Sequence, residues 1–219
     1  MRPPEQGGPF ITEKWRTGMM HLVCLDVEGV LLPEIWINVA VKTGIDELKL
    51  TTRDISDYDV LMKKRIGILE EHGITLSDIQ EVIGTMEPLE GAKDFLDTLR
   101  ELTQVILLSD TFTQFAKPLM KKLDWPTLFC NTLVIDDRNM ITGYTLRQQD
   151  GKKKAVAALQ SIGYSVIASG DSYNDATMLS QADTGIFFRP PPKIVEEFPD
   201  FPVTETHGEL LTEIKKQLS

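Results

Sequence analysis

Sulfur and imidazole are scarce in this chain: its 219 residues include two cysteines and three histidines. Cys24 and Cys130 each lie in an apolar, strand-like stretch and read as buried free thiols. His21, His72 and His207 are far apart, and with two cysteines they make no zinc-ligand spacing. This inventory fits a reducing, cytoplasmic setting. Positive charge is also in deficit. The 23 Lys and Arg against 33 Asp and Glu leave a formal net charge of −10. That argues against a nucleic-acid partner, which would need a basic surface to displace phosphate counterions. Long apolar runs are missing too. None approaches the roughly 18 residues of a membrane span. A small phosphorylated substrate is not excluded, because local charges and a bound metal decide that matter.

The apolar fraction, 42%, is that of an ordinary globular chain, and the length suits one substantial domain with a small insert. Residues 1–19 stand apart. Pro3, Pro4, Gly7, Gly8 and Pro9 interrupt them, no periodicity runs through them, and they lack the apolar core of a secretory signal. They read as a disordered tail, with Met19 or Met20 as alternative starts.

Five short apolar segments have the character of buried parallel strands: His21–Asp26, Gln104–Asp110, Leu128–Ile135, Ser165–Asp171 and Thr184–Phe188. Apolar residues at helical spacing fall between most of them, over Ala92–Leu102, Thr113–Leu123, Lys152–Ile162 and Asp175–Gln181. The alternation predicts an α/β fold, a Rossmann-like doubly wound parallel sheet. Asp136-Asp137-Arg138-Asn139 reads as a hairpin turn. Residues 34–88 break the pattern. They carry helical periodicity at Ile35–Val41, Tyr58–His72 and Leu76–Thr85, with Gly44, Gly73 and Pro88 as punctuation. We expect a helical cap at 34–88 and a core formed by 20–33 and 89–219. Loops leaving the carboxyl ends of strands build sites in this architecture, so such an insert would cover the site as a lid. Beyond Phe188, Pro190, Pro191, Pro192, Pro199 and Pro202 limit regular structure to short pieces, before a last helix at Gly208–Leu218.

The chemistry-bearing residues recur at the predicted strand ends. The first strand runs into Asp26-Val27-Glu28-Gly29-Val30, two carboxylates that repel and so need a counter-charge. The second runs into Ser109-Asp110-Thr111, which offers a hydroxyl to a phosphate oxygen but is equally an ordinary turn. The fourth runs into Gly170-Asp171-Ser172-Tyr173-Asn174-Asp175. Hard carboxylate oxygens of this kind suit Mg²⁺, although Asp175 could instead cap the next helix. Between them, Asp150-Gly151-Lys152-Lys153-Lys154 opens a helix at the same edge. A lysine run is usually solvated, but one of these could neutralise the carboxylates.

In order and wording these segments resemble the haloacid dehalogenase superfamily from His21 to Phe188. With Glu34 and Met62-Lys63-Lys64-Arg65 added, the chain is similar to phosphoserine phosphatases. Asp26–Trp36 and Ser109–Phe112 match the subgroup that also transfers phosphate to homoserine. The resemblance implies that Asp26 is a nucleophile forming an aspartyl phosphate. It implies Mg²⁺ on Asp26, Asp171 and the Glu28 main-chain carbonyl, with Asp175 ordering the metal's surroundings or the lysine. Ser109, Lys152 and the Gly29 amide would hold the phosphoryl oxygens, Lys152 being preferred to Lys153 because it stands first in its helix. Glu28 would be the general acid and then the base. Most members carry Asp there, so the longer Glu puts the placement of the attacking water in question. Glu34 and Arg65 would recognise the ammonium and carboxylate of the substrate, with Asp110, Thr111 and Asn174 lining the same site. The implied partners are phosphoserine and homoserine, with no nucleic acid and no membrane. The oligomeric state stays open, a homodimer included. Two other readings stand beside this one: a phosphatase of the same fold for a different small phosphomonoester, and a receiver-like phospho-accepting or non-catalytic domain. A receiver would lack both the insert and the Gly170–Asp175 loop.

Overall fold

In the computed structural model, residues 20–51, 54, 55 and 57–218 are described. The expected tail at 1–19 lies outside them. Strands β1 (Met20–Leu25), β2 (Gln104–Phe112), β3 (Thr127–Ile135), β4 (Ile141–Thr145), β5 (Tyr164–Gly170), β6 (Thr184–Phe188) and β7 (Val203–Thr204) form one sheet. Its order is β4-β3-β2-β1-β5-β6-β7. All neighbours are parallel except β3 and β4, which the hairpin at 136–139 joins.

Alternate residues of β1 supply both faces, as the period-2 geometry of a strand demands. Val23 and Leu25 face one apolar cluster, Leu22 and Cys24 the other. Helices α4 (Ala92–Leu102), α5 (Thr113–Lys122) and α9 (His207–Leu218) cover the first face; α6 (Gly151–Ser161), α7 (Tyr173–Gln181) and α8 (Pro192–Glu197) cover the second. Both cysteines are free, Cys24 buried and Cys130 half-buried. Among the described residues no helix is long and apolar enough to cross a membrane.

Helices α1 (Ile35–Thr43), α2 (Tyr58–Glu71) and α3 (Leu76–Thr85) lie between β1 and α4, with a 3₁₀ turn at Asp46–Lys49 that the periodicity does not reveal. Their buried residues, among them Trp36, Val39, Leu69 and Ile79, belong to the same cluster as the first face of the sheet. One contact explains part of this docking. Pro118 sits inside α5, where it has no N–H to give the carbonyl of Gln114 four residues earlier. The Gln80 side chain of α3 donates to that carbonyl instead, at 2.8 Å. The hairpin grips α3 as well, since the Leu76 N–H donates to Asn139 O at 2.9 Å.

The proline-rich tail is more ordered than its composition suggests. Pro192 occupies the first turn of α8, where a missing N–H costs nothing. Phe187 N–H donates to Pro202 O and Arg189 N–H to Thr204 O, so β7 adds to the sheet through carbonyl acceptors, one of them the oxygen that Pro202 retains.

Candidate active site

Asp26, Ser109 and Asp171 meet where the carboxyl ends of β1, β2 and β5 converge. The chain runs from β1 outward to β2 and β3, then returns to the other side of β1 for β5. The crevice therefore opens at the point where the winding reverses. Asp26 N–H donates to Ser169 O at 2.9 Å, which prolongs the pairing one residue past β1 and brings the carboxylate to the edge of the sheet. Asp26 is 4% exposed and Asp171 8%.

Two glycines make this approach possible. Gly29 has φ +80°, and a Cβ there would lie 2.4 Å from the Asp171 carboxyl carbon. A Cβ on Gly170 would lie 2.3 Å from that of Asp175. Each glycine leaves the room in which a carboxylate sits. The Gly29 N–H does not face the pocket; it donates to Leu32 O at 2.8 Å, because the loop turns back on itself after Glu28. A phosphate contact through that amide would require the loop to rearrange.

Asp175 closes a capping box with Ser172 at the start of α7, and its carboxylate also meets the lysine. Its Oδ2 accepts from the N–H groups of Asp171 and Ser172, at 3.0 and 3.1 Å. Its Oδ1 accepts from Lys152 Nζ at 2.7 Å. Lys152 also reaches Asp26 Oδ1 at 2.9 Å and Asp110 Oδ2 at 3.7 Å. The lysine is 5% exposed, whereas Lys153 points to solvent, which separates the two.

Oxygens of Asp26, Asp171 and Asp175 all lie within 4.8 Å of one another. Two of these buried carboxylates, Asp26 and Asp175, pair with the Lys152 ammonium group. Burial, reinforced by Asp175, pushes the Asp26 carboxyl well above its ordinary range, against the pull of Lys152. Burial disfavours the charged lysine, but Asp175, Asp26 and Asp110 outweigh it and hold Lys152 protonated. A hard divalent cation fits this donor set, since it would offset the excess negative charge. Asp175 already accepts from Lys152 and from the Asp171 and Ser172 N–H groups; Asp26 and Asp171 could offer side-chain oxygens to such a cation.

The Ser109–Thr111 stretch is exposed to the crevice by a break in β2. Its register with β3 shifts between Leu108 and Phe112, the signature of a bulge that re-aims side chains. The strand therefore continues to Phe112 rather than ending at Asp110. The freed carbonyl of Asp110 accepts from Tyr58 and Asn131 side chains, each at 3.1 Å. Ser109 Oγ accepts from Thr111 N–H at 3.1 Å, while Thr111 Oγ1 is buried with no partner. Asn174 Nδ2 donates to Asp110 Oδ2 at 2.9 Å.

The inserted helices close the other side. Arg65 is 7% exposed. Its guanidinium lies 4.5 Å from the Trp36 ring centre, one nitrogen donates to Leu50 O at 2.7 Å, and its Nε is buried without a partner. Burial draws Arg65 down to about 10. Glu28 Oε2 accepts from Ile35 N–H at 2.8 Å, so this carboxylate caps α1. Burial first, and then the nearby Glu34 carboxyl, push Glu28 up to about 8, against the pull of Ile35 N–H and Arg65.

These groups line one cavity of about 100 Å³. It brings together Asp26, Glu28, Glu34, Arg65, Ser109, Asp110, Thr111, Lys152, Asp171 and Asn174 from the sequence-based set. Gly29 and Asp175 stand behind the wall. Sequence reasoning missed Tyr58 and Thr51 as lining residues. Tyr58 carried a signal only as the first residue of a periodic helix, and Thr51 carried none.

A model of the haloacid dehalogenase-like hydrolases matches residues 20–183. The phosphoserine phosphatase ThrH of Pseudomonas aeruginosa is 58% identical over 200 residues, which cover 91% of this chain and 98% of that protein. A phosphoserine phosphatase of Pseudomonas syringae is 55% identical over 197 residues, 90% of this chain and 83% of that one. Among solved structures, a phospho-aspartyl intermediate analogue of phosphoserine phosphatase superposes with a TM-score of 0.73 at 20% identity, over 89% of this chain and 99% of the other.

Proposed function

The chain belongs to the haloacid dehalogenase-like hydrolase family, and from that premise we propose that it is a phosphoserine phosphatase that also passes the phosphoryl group to homoserine. One observation carries this reading. The cavity is lined by Asp26, Asp171 and the buried Lys152, and also by the buried Arg65 and by Glu34. The first set suits a phosphate, and the second suits an amino acid's carboxylate and ammonium.

Asp26 attacks phosphorus, forming the aspartyl phosphate as the bond from phosphorus to the serine oxygen breaks. Glu28, held protonated by burial, gives its proton to the departing serine oxygen. Water or homoserine then attacks the phosphorus, returns a proton to Glu28 and frees Asp26. Lys152 and Ser109 hold the phosphoryl oxygens, and Asp175 keeps Lys152 aimed at them. Asp26, Asp171 and the main-chain oxygen of Glu28 would hold Mg²⁺, which when bound lessens the repulsion between an anionic nucleophile and an anionic phosphate. Arg65 takes the substrate carboxylate, and Glu34 takes the ammonium. Homoserine offers the same two handles. Holding its hydroxyl beside phosphorus gives it an edge over water; well-oriented systems reach effective molarities of about 10⁵ M or more.

Phosphorus NMR of the enzyme with phosphoserine, Mg²⁺ and homoserine tests both parts. Phosphohomoserine and inorganic phosphate should both accumulate. Inorganic phosphate alone at saturating homoserine would remove the transfer step. Intact phosphoserine, with turnover of another phosphomonoester, would remove the substrate assignment.

A further inference from the structure

Asn131 of β3 is buried behind the site and outside the lining of its cavity. Both edges of its side-chain amide are used. Nδ2 donates to Asp110 O at 3.1 Å, and Oδ1 accepts from Arg147 N–H at 3.0 Å. A carbonyl only accepts and a main-chain N–H only donates, so the amide satisfies both in this orientation alone. The first bond holds the segment that carries Ser109. From Leu108 to Phe112, β2 advances four residues while β3 advances two, from Phe129 to Asn131. The register gives Asp110 no partner on β3, and the Asn131 side chain supplies the N–H that the ladder withholds.

The second bond holds the segment that delivers Lys152. Arg147 leads from β4 towards α6. Its guanidinium lies 4.7 Å from the Phe129 ring centre and donates to Gly151 O at 3.4 Å. Gly151 is the first residue of α6 and Lys152 the second, and that helix start has no side-chain cap. The Asp150 carboxylate beside it accepts from Thr177 instead, at 3.0 Å. Ser109, Asn131, Arg147 and Lys152 also line one small cavity of about 10 Å³, room for no more than about one water molecule.

We propose that Asn131 is a positioning residue: its amide fixes the spacing between the Ser109 hydroxyl and the Lys152 ammonium group, and so sets the grip on the phosphoryl group. The inference rests on the phosphoryl-transfer reading of the site, but not on phosphoserine as the substrate. The position calls for a donor and an acceptor on opposite edges of one side chain. Aspartate offers acceptors only, and leucine neither. Tyr58 gives Asp110 O a second donor, at 3.1 Å, so replacing Asn131 leaves that carbonyl paired. What is lost is the fixed distance between the two segments.

Asn131→Leu in the full chain keeps the shape and removes both bonds. Calorimetry in Mg²⁺ should show affinity for inorganic phosphate falling about tenfold, the worth of two ordinary hydrogen bonds. Affinity for serine, assigned to Arg65 and Glu34, should hardly change. Turnover of para-nitrophenyl phosphate should lose about tenfold or more in kcat, because misplaced groups cost rate. Combined with Ser109→Ala, the two losses should fall well short of multiplying, since residues that act through one another do not add. Thr113→Val is the comparator. Thr113 Oγ1 donates to Asn131 O at 3.1 Å, so its loss loosens the same strand position without touching the amide. It should lower Tm and leave phosphate affinity unchanged. Wild-type phosphate affinity in Asn131→Leu overturns the proposal. Equal losses for phosphate and serine, or full multiplication with Ser109→Ala, overturn it as well. If Asn131→Leu does not fold, Asn131→Thr, which suits a strand but is too short to span both partners, decides by the same measurements. If the wild type binds phosphate but not serine, the phosphoserine assignment fails, and the phosphate measurements still decide the role of Asn131. A wild type that binds no phosphate overturns both.

Discussion

Replacing Lys152 by methionine keeps most of the stem's volume and deletes the ammonium group that pairs with the carboxylate cluster. The ammonium group lies 2.7 Å from Asp175 and 2.9 Å from Asp26, with all three side chains buried. Removing one partner of such a pair strands the other and costs about 3–5 kcal/mol. For a chain of this length that is a fall in Tm of roughly 6–20 °C, at about 2–4 °C per kcal/mol. The loss should depend on pH, with a definite sign. Burial, Asp175 and Asp171 already raise the Asp26 carboxyl, and Lys152 opposes them. Without the lysine that carboxyl is raised further, so the folded state binds a proton that the unfolded chain releases. Stability then falls as pH rises through the interval between the unfolded and folded values. Thermal melts of wild type and Lys152→Met at about pH 5 and pH 8 should show a small gap at the lower pH and the full gap at the higher. Saturating Mg²⁺ should recover part of it. Equal Tm values at the higher pH, or a gap that ignores pH, would refute the view that Lys152 neutralises the cluster.

Gly29→Ala places a Cβ 2.4 Å from the Asp171 carboxyl carbon at a backbone φ of +80°; about 1 kcal/mol of conformational cost is the minimum. Mg²⁺-dependent turnover should drop by an order of magnitude or more, and the chelator-insensitive background should not change. Arg65→Lys loses the two-pronged grip on a carboxylate. The use of phosphoserine should weaken about tenfold while an aryl phosphate without a carboxylate is handled nearly as before, and equal losses would make Arg65 structural. Glu28, pushed up to about 8, should donate its proton below that pH and fail above it. Single-turnover release of serine should then decline above about pH 8, and Glu28→Gln should abolish both the release and the decline; a surviving decline would name another acid.

Most of the fold was legible because strand and helix alternate with clean periods, and α4 and α3 begin and end where the spacing places them. The polar ends of β1, β2 and β5 gave away the Asp26, Ser109 and Asp171 side of the cavity. Three things were hidden. The bulge at Ser109–Thr111 depends on the register with β3, which no local pattern encodes. The Gly29 amide is taken by Leu32, a contact set by how the loop folds back. Tyr58 and Thr51 reach the cavity from the inserted helices and the segment between them, whose packing angle follows from tertiary contacts rather than spacing. Lys152 and Lys153 could not be told apart by composition. One residue's rotation on α6 buries the first and exposes the second.

Pro118 has a bearing on how specificity could be exchanged among relatives. The helix that carries it leaves one carbonyl open, and Gln80 from the insert fills it. The two residues lie on opposite sides of the boundary at which recombination would naturally cut. A graft of residues 34–88 onto another scaffold would bring Gln80 without its acceptor. The reverse graft would leave Gln114 with an unpaired, half-buried oxygen. The inserted helices are therefore not a free-standing cassette. Their seating is kept when α5 moves with them, and pairing of Gln80 with Pro118 across natural sequences would be the trace of such joint inheritance.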